Sequence, residues 1–260
     1  MSKPLSLDRA TLLYEIGITP RWVWRESART SAATAASSDG AGPETPPAGA
    51  DPPAFAGRPA ESENIDAMSW GELEAAIRTC HRCGLAKARR QAVPGVGDRT
   101  PNWFVVGEGP GEQEDARGEP FVGPAGRLLD AMLAAVGRRR GEGVYITNVV
   151  KCRPPGNRNP EPEEIAACAP FLRRQLALAK PSLVLAVGKF AGQTLLGREE
   201  TVAALRAGGG QCVLSAEPVP VVVTYHPSYL LRTPTEKARA WDDLQRAVAL
   251  SARGDAHEKP

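Results

Sequence analysis

Cys80 and Cys83 stand in C-H-R-C-G-L, Cys152 in K-C-R-P-P-G-N-R-N-P, and Cys168 follows after fifteen intervening residues in I-A-A-C-A-P. Four thiolates can hold a tetrahedral zinc ion or an iron–sulfur cluster. Zinc ribbons favour two close C-x-x-C knuckles, and the second half of this set is not a knuckle. The spacing therefore points to [4Fe–4S], with zinc as the alternative. The four lie outside any apolar periodicity, unlike Cys212 in Q-C-V-L, which reads as a buried small hydrophobe. His81, inside the first pair, reads as a solvated loop residue rather than a fifth ligand. Cys152 comes four residues after Asn148, so whatever the cysteines bind pins the segment that carries this amide.

The elements that must position these residues follow from hydrophobic pattern. W-F-V-V-G (103–107), V-Y-I-T-N-V-V (144–150), S-L-V-L-A-V-G (182–188) and V-P-V-V-V-T-Y (219–225) read as buried strands. Helical patterns lie between them: Leu128, Leu129, Met132, Leu133 and Val136 share one face, P-E-P-E-E-I opens a helix with Pro and acids, and residues 235–252 form a closing helix. Strands alternating with crossover helices predict an α/β fold, a three-layer α/β/α sandwich around a mostly parallel four-stranded sheet. In such sheets ligands bind at the carboxyl ends of the strands. Four loops should therefore converge: G-E-G-P-G-E-Q-E-D (107–115), Asn148, Gly188-Lys189 and H-P-S-Y-L-L-R (226–232).

Composition divides the chain of 260 residues. Residues 31–66 are Ala, Pro, Gly and Ser with almost nothing to bury, the signature of a disordered linker. The linker separates residues 1–30 from a domain spanning 67–253. Net charge is +2, from 32 basic and 30 acidic residues, so the whole chain is no polycation. Its basic residues cluster, however, at Lys87/Arg89/Arg90, Arg138/Arg139/Arg140 and Lys151/Arg153/Arg158, which points to a phosphate-facing surface. No apolar run reaches the roughly 18 residues of a membrane span. No basic-then-apolar leader opens the chain, so a cytoplasmic protein, monomeric, is expected.

The first loop is neither a P-loop, lacking G-K-[ST], nor a complete G-x-G-x-x-G, because Glu112 takes the sixth position. Its glycines would let backbone approach a flat ligand, with a carboxylate to orient water or stabilise positive charge. In the fourth loop two leucines beside Arg232 suit a wedge entering a base stack, with the arginine on phosphate.

From Cys80 to about Arg246 the chain resembles the family-4, iron–sulfur uracil-DNA glycosylases. The resemblance rests on C-x-x-C-G-L, G-E-G-P-G-E-Q-E-D, G-x-P-F-V-G-P-A-G-R-L-L-D, Y-I-T-N-V-V-K-C-R-P-P-G-N-R-N-P and H-P-S-Y-L-L-R, five motifs in order. It implies hydrolysis of the N-glycosidic bond of deoxyuridine in single- or double-stranded DNA, without strand cleavage, and a [4Fe–4S] cluster on Cys80, Cys83, Cys152 and Cys168. It further implies Phe121 under the flipped base, Asn148 on the uracil edge and His226 near uracil O2. Leu230 would be the wedge, with Ser228 and Arg232 beside it on DNA. Glu108 would serve the water or the sugar cation and Glu114 would shield uracil C5, an assignment that could be swapped. Gly109 stands where the best-known uracil glycosylases carry a water-activating Asp. The P-P-G-N-R-N-P loop has no histidine, which sets aside the related group that traps the abasic sugar on one.

Residues 1–30 are amphipathic, with Leu12, Leu13, Ile16 and Ile18 followed by Trp22 and Trp24. They either pack on their own domain or dock a partner. The run L-x-x-x-G-I-T-P-R-W-x-W-R resembles the N-terminal peptide of the psi subunit of bacterial DNA polymerase III, implying a clamp-loader or replisome partner. Two other functions compete: a non-catalytic DNA- or replisome-binding protein that keeps the fold, and a zinc hydrolase acting on another nucleoside.

Overall fold

The computed structural model describes residues 64–255. The segment 1–30, with its docking reading, and nearly all of 31–66 lie outside them. Ile65 already packs in the core at 6% exposure, so the folded region takes in the end of the stretch assigned to the linker.

In chain order the elements are α1 (Trp70–Thr79), β1 (Val96–Gly97), β2 (Trp103–Gly107), α2 (Glu112–Arg117), α3 (Pro124–Ala134), β3 (Val144–Asn148) and α4 (Pro162–Ala179). There follow β4 (Leu183–Val187), α5 (Lys189–Leu196), α6 (Val202–Gly208), β5 (Gly210–Gln211), β6 (Pro220–Thr224), α7 (Pro227–Arg232) and α8 (Lys237–Asp255). The sheet runs β1-β3-β2-β4-β6-β5, with the inner four strands parallel and both edge strands antiparallel. The four predicted strands are thus present, and the sheet has six rather than four. The extra strands are two residues each and contain glycine. Pieces that short carry no periodicity.

Every residue of β2, β3 and β4 is buried, as a parallel sheet covered on both faces requires. Alternate side chains serve opposite layers. Phe104, Val106, Val184 and Ala186 pack with Leu73 and Ile77 of α1, Leu172 and Leu176 of α4 and Leu195 of α5. Trp103, Val105, Leu183 and Leu185 pack with Leu129 and Leu133 of α3 and Trp241 and Leu244 of α8. The result is the expected three-layer sandwich. Among the described residues no helix is long and apolar enough to cross a membrane.

Strand order reverses at β2, since β3 lies on one side of it and β4 on the other. A crevice therefore opens at the carboxyl ends above β2. The parallel register aligns Gly107 with Asn148 there, and Val149 N–H to Gly107 O (2.9 Å) and Val150 N–H to Glu108 O (3.1 Å) carry the pairing into the loops.

Candidate active site

The crevice is a cleft of about 510 Å³ lined by Glu108, Gly109, Phe121, Asn148, His226 and Arg232, among others. Three of the four predicted loops line it. The fourth, Gly188-Lys189, supports it from behind: a Cβ on Gly188 would lie 3.2 Å from His226 Cβ.

Asn148 ends β3 at 2% exposure, and its Oδ1 is buried without a hydrogen-bond partner. Buried acceptors are nearly always satisfied, and one left open in a cleft calls for an explanation. A donor arriving from solvent supplies it. Glycine at 107 makes room, since a Cβ there would overlap Asn148 Oδ1 and the Phe121 ring. Gly109 is likewise closed to a side chain, its Cβ position being 2.8 Å from Val150 Cγ2.

Phe121 is buried with φ 55°, a left-handed conformation that costs a bulky residue of order 1 kcal/mol or more. A bracket maintains it. Arg140 donates to Pro120 O (2.8 Å) and Phe121 O (2.9 Å) and is itself held by Asp130. Glu114 accepts from Val122 N–H (3.0 Å), Gly123 N–H (3.4 Å) and Gly111 N–H (3.1 Å). The ring stands 5.7 Å from the His226 ring, centroid to centroid. Gly126 admits this turn, since a Cβ there would overlap the Phe121 carbonyl. Arg140→Ala frees both carbonyls. Loss of two charge-assisted bonds should raise KM for the substrate this cleft takes about tenfold, with kcat less affected, in steady-state kinetics.

His226 caps α7, its Nδ1 accepting from Ser228 N–H (3.2 Å) with Ser228 Oγ at 2.7 Å. With Nδ1 accepting, the ring proton belongs on Nε2. Burial first, and then the Arg232 charge, pull the imidazole down to about 4, against a smaller opposing effect of Glu114. The ring is therefore a neutral donor at ordinary pH. Ser228, expected on DNA, lines the cleft with its hydroxyl against the histidine.

Leu230 does not fit the wedge. The H-P-S-Y-L-L-R stretch folds as a helix started by Pro227 rather than as an open loop, and its inward face carries Leu230 into the core at 1% exposure. Leu231 (45%) and Tyr229 (36%) are the exposed apolar groups.

The carboxylates divide cleanly. Asp115 accepts from Arg90 and Gln91 N–H and is buried, and Glu114 is spent on the bracket. Glu108 lines the cleft, and burial pushes its carboxyl up.

All four predicted cysteines line a single second cleft beneath the end of β3. Cys152 and Cys168 are buried, Cys80 and Cys83 half-buried, and all are free thiols. Arg89 straps them, donating to Cys152 Sγ (2.8 Å) and to Cys80 O (2.8 Å) and Arg78 O (3.0 Å). Lys151 N–H points at Cys168 Sγ (3.3 Å). Burial raises the Cys83 and Cys152 thiols and lifts Cys168 to about 12. Among the described residues no three His, Cys, Asp or Glu side chains converge as a ready single-ion site.

Sequence reasoning missed the inward cations. Arg89, Arg140 and Lys151, which by sequence belong to phosphate-facing clusters, turn inward, and Arg158 is also engaged, by Glu164 at 2.6 Å. Only tertiary structure reveals which carbonyls and sulfurs they serve.

A half-open cleft at the strand-order reversal thus brings together an unpartnered buried amide oxygen, a buried phenylalanine ring and a neutral imidazole. The family model for the uracil DNA glycosylase superfamily matches residues 94–245. The chain is 39% identical over 189 residues to the type-4 uracil-DNA glycosylase of Archaeoglobus fulgidus, covering 71% of this chain and 94% of that protein. It is 41% identical over 177 residues to the type-4 enzyme of Thermotoga maritima, covering 67% and 90%. Similarity to the type-5 enzyme of Pyrobaculum aerophilum is 35% over 153 residues, 53% of this chain and 66% of that one. The chain belongs to the uracil-DNA glycosylase superfamily.

Proposed function

We propose that this chain hydrolyses the N-glycosidic bond of deoxyuridine in DNA and leaves an abasic site, as the first step of base excision repair. The observation that carries this reading is the unpartnered Asn148 Oδ1. Uracil N3–H fits that acceptor, and the Asn148 NH₂ can donate to O4. Cytosine presents the reverse pattern at both atoms. The nucleotide must leave the stack to reach this pocket, at a cost of a few kcal/mol. Phe121 receives the base face. The fixed Glu114 carboxylate forms a wall at C5, where the methyl of thymine would clash. The exposed Leu231 and Tyr229 take over the wedge role from Leu230, with Arg232 on phosphate.

As the C1′–N1 bond breaks, its electron pair passes to uracil and charge gathers on O2. His226 Nε2–H, held by Ser228, donates there; a donor aimed at developing charge is worth roughly 10²–10³ in rate. Glu108 accepts a proton from the water that adds to C1′. No Asp can assist from position 109.

A [4Fe–4S] cluster on Cys80, Cys83, Cys152 and Cys168 would serve as a cross-link between three chain segments, its chemistry here being thiolate coordination rather than electron transfer. Four thiols brought to one cleft, with an arginine strap across them, support a bound metal group; iron and zinc analysis of the purified protein decides between cluster and zinc.

An excision assay on an oligonucleotide with one uracil, with and without alkali, tests the activity; cleavage before alkali would refute the monofunctional reading. The pH profile tests the roles. Protonation of His226 near 4 leaves it neutral through the usual histidine range. The rate should therefore not fall with a midpoint near 6.5 from this group. Glu108, its carboxyl raised by burial, must be ionised to accept the proton, so the acid limb belongs to it. Glu108→Gln should lower kcat about 10²-fold or more and remove that limb. A limb that persists unchanged would assign the base elsewhere.

A further inference from the structure

Lys151 is 1% exposed, and its ammonium has three hydrogens and three neutral acceptors: Thr147 Oγ1 (2.7 Å), Asn148 O (2.6 Å) and Gln175 Oε1 (2.7 Å). Burying a charge without a carboxylate beside it is expensive and persists only where hydrogen bonds are complete. The network is complete. Gln175 donates onward to Pro94 O (2.8 Å) and Tyr145 Oη (3.2 Å), and Thr147 Oγ1 donates to Pro94 O (2.8 Å). The same residue's main-chain N–H points at Cys168 Sγ. Lys151 therefore touches both the cysteine cleft and the strand end that presents Asn148.

Asn148 Oδ1 has no hydrogen bond of its own, so the aim of its amide depends on the backbone that carries it. One side of that backbone is set by Val149 N–H on Gly107 O. The other is set by the lysine, which folds back over its own turn to hold the last carbonyl of β3 against α4.

We propose that Lys151 is a positioning residue for uracil recognition: by tying Asn148 O to Gln175 of α4 it holds the Asn148 amide in the orientation that accepts uracil and refuses cytosine. The inference rests on the reading of Asn148 given above. Neither Lys151 nor Gln175 lines the substrate cleft, so the effect passes through backbone placement alone.

The test compares Lys151→Met, Asn148→Ala and the parent as full-length holoproteins. Four quantities are read: metal content with visible absorbance, affinity for abasic-site DNA, inhibition by free uracil, and the ratio of uracil to cytosine excision under single turnover. Lys151→Met keeps the main-chain contact to Cys168, so metal content and abasic-DNA affinity should hold. Inhibition by free uracil should weaken about tenfold, the scale of a lost buried hydrogen bond to a charged donor, and the uracil-to-cytosine ratio should narrow. Unchanged uracil inhibition and ratio in Lys151→Met, with both degraded in Asn148→Ala, would overturn the proposal alone. If Asn148→Ala is also unchanged, the Asn148 reading itself fails. Should Lys151→Met lose its metal or its fold, Thr147→Val removes one acceptor and decides by the same readouts. A two- to threefold loss in uracil inhibition, roughly one weakened neutral bond, upholds the proposal, and parent values refute it.

Discussion

Asn148→Ala is expected to lower kcat/KM for uracil excision by at least a hundredfold while leaving the fold and the metal content intact. The side chain lies in a closed place, 2% exposed between Gly107 and Phe121, so its removal opens a small space without unpairing a protein donor. What is lost is the partner of uracil N3–H and O4. A base drawn into a pocket that no longer satisfies it leaves two polar groups desolvated. Sites that hydrogen-bond their substrate discriminate by about 10⁴–10⁵ when such a partner is missing, and water entering the vacated space would recover part of that. Single-turnover cleavage after alkali, with melting temperature as control, measures the effect. A variant within threefold of the parent would remove Asn148 from base recognition and leave the neutral His226 as the sole reader of the pyrimidine edge.

The sequence made the sheet legible because β2, β3, β4 and β6 are runs of Val, Ile and Leu bounded by turn residues. Their carboxyl ends locate Asn148 and His226, and both line one cleft. The edge strands were not legible, being two residues each. The H-P-S-Y-L-L-R stretch was misread for a definite reason. A proline directly after a capping residue starts a helix, and α7 turns Leu230 inward while exposing Leu231. The basic clusters misled in a related way. Arg and Lys adjacent in sequence look like solvated surface, yet Arg89, Arg140 and Lys151 each turn their donors onto groups of the protein itself: backbone carbonyls, a sulfur, a carboxylate or side-chain oxygens. Charge in sequence says nothing of direction; an arginine fork that finds two carbonyls in register becomes a structural brace. The acids repeat the lesson, since Glu114 reads as candidate chemistry and is, like its neighbour Asp115, an acceptor for loop amides.

Cys168→Ser should give a colourless protein that melts more than about 10 °C below the parent and has lost excision. The cysteines come from the turn after α1, the turn after β3 and the middle of α4, three segments that meet at one cleft. When a group is bound only in the folded state, its binding free energy is folding free energy. For structural zinc in small domains that reaches roughly 10–16 kcal/mol, as large as the whole stability of a typical domain. A loss of more than about 5 kcal/mol at about 2–4 °C per kcal/mol for a domain of this size gives the stated shift. The damage should not stay local, because Lys151 and Asn148 lie within the pinned segment and Lys151 N–H loses its sulfur partner. Activity and stability should therefore fall together in Cys168→Ser, whereas Asn148→Ala loses activity alone. A colourless, thermally unchanged and active Cys168→Ser protein would remove the cross-link role. An electron carrier makes a different prediction: a mild oxidant that alters the visible spectrum without releasing iron would change the excision rate. Under the cross-link reading that rate stays constant while the iron remains bound and falls only as it is released.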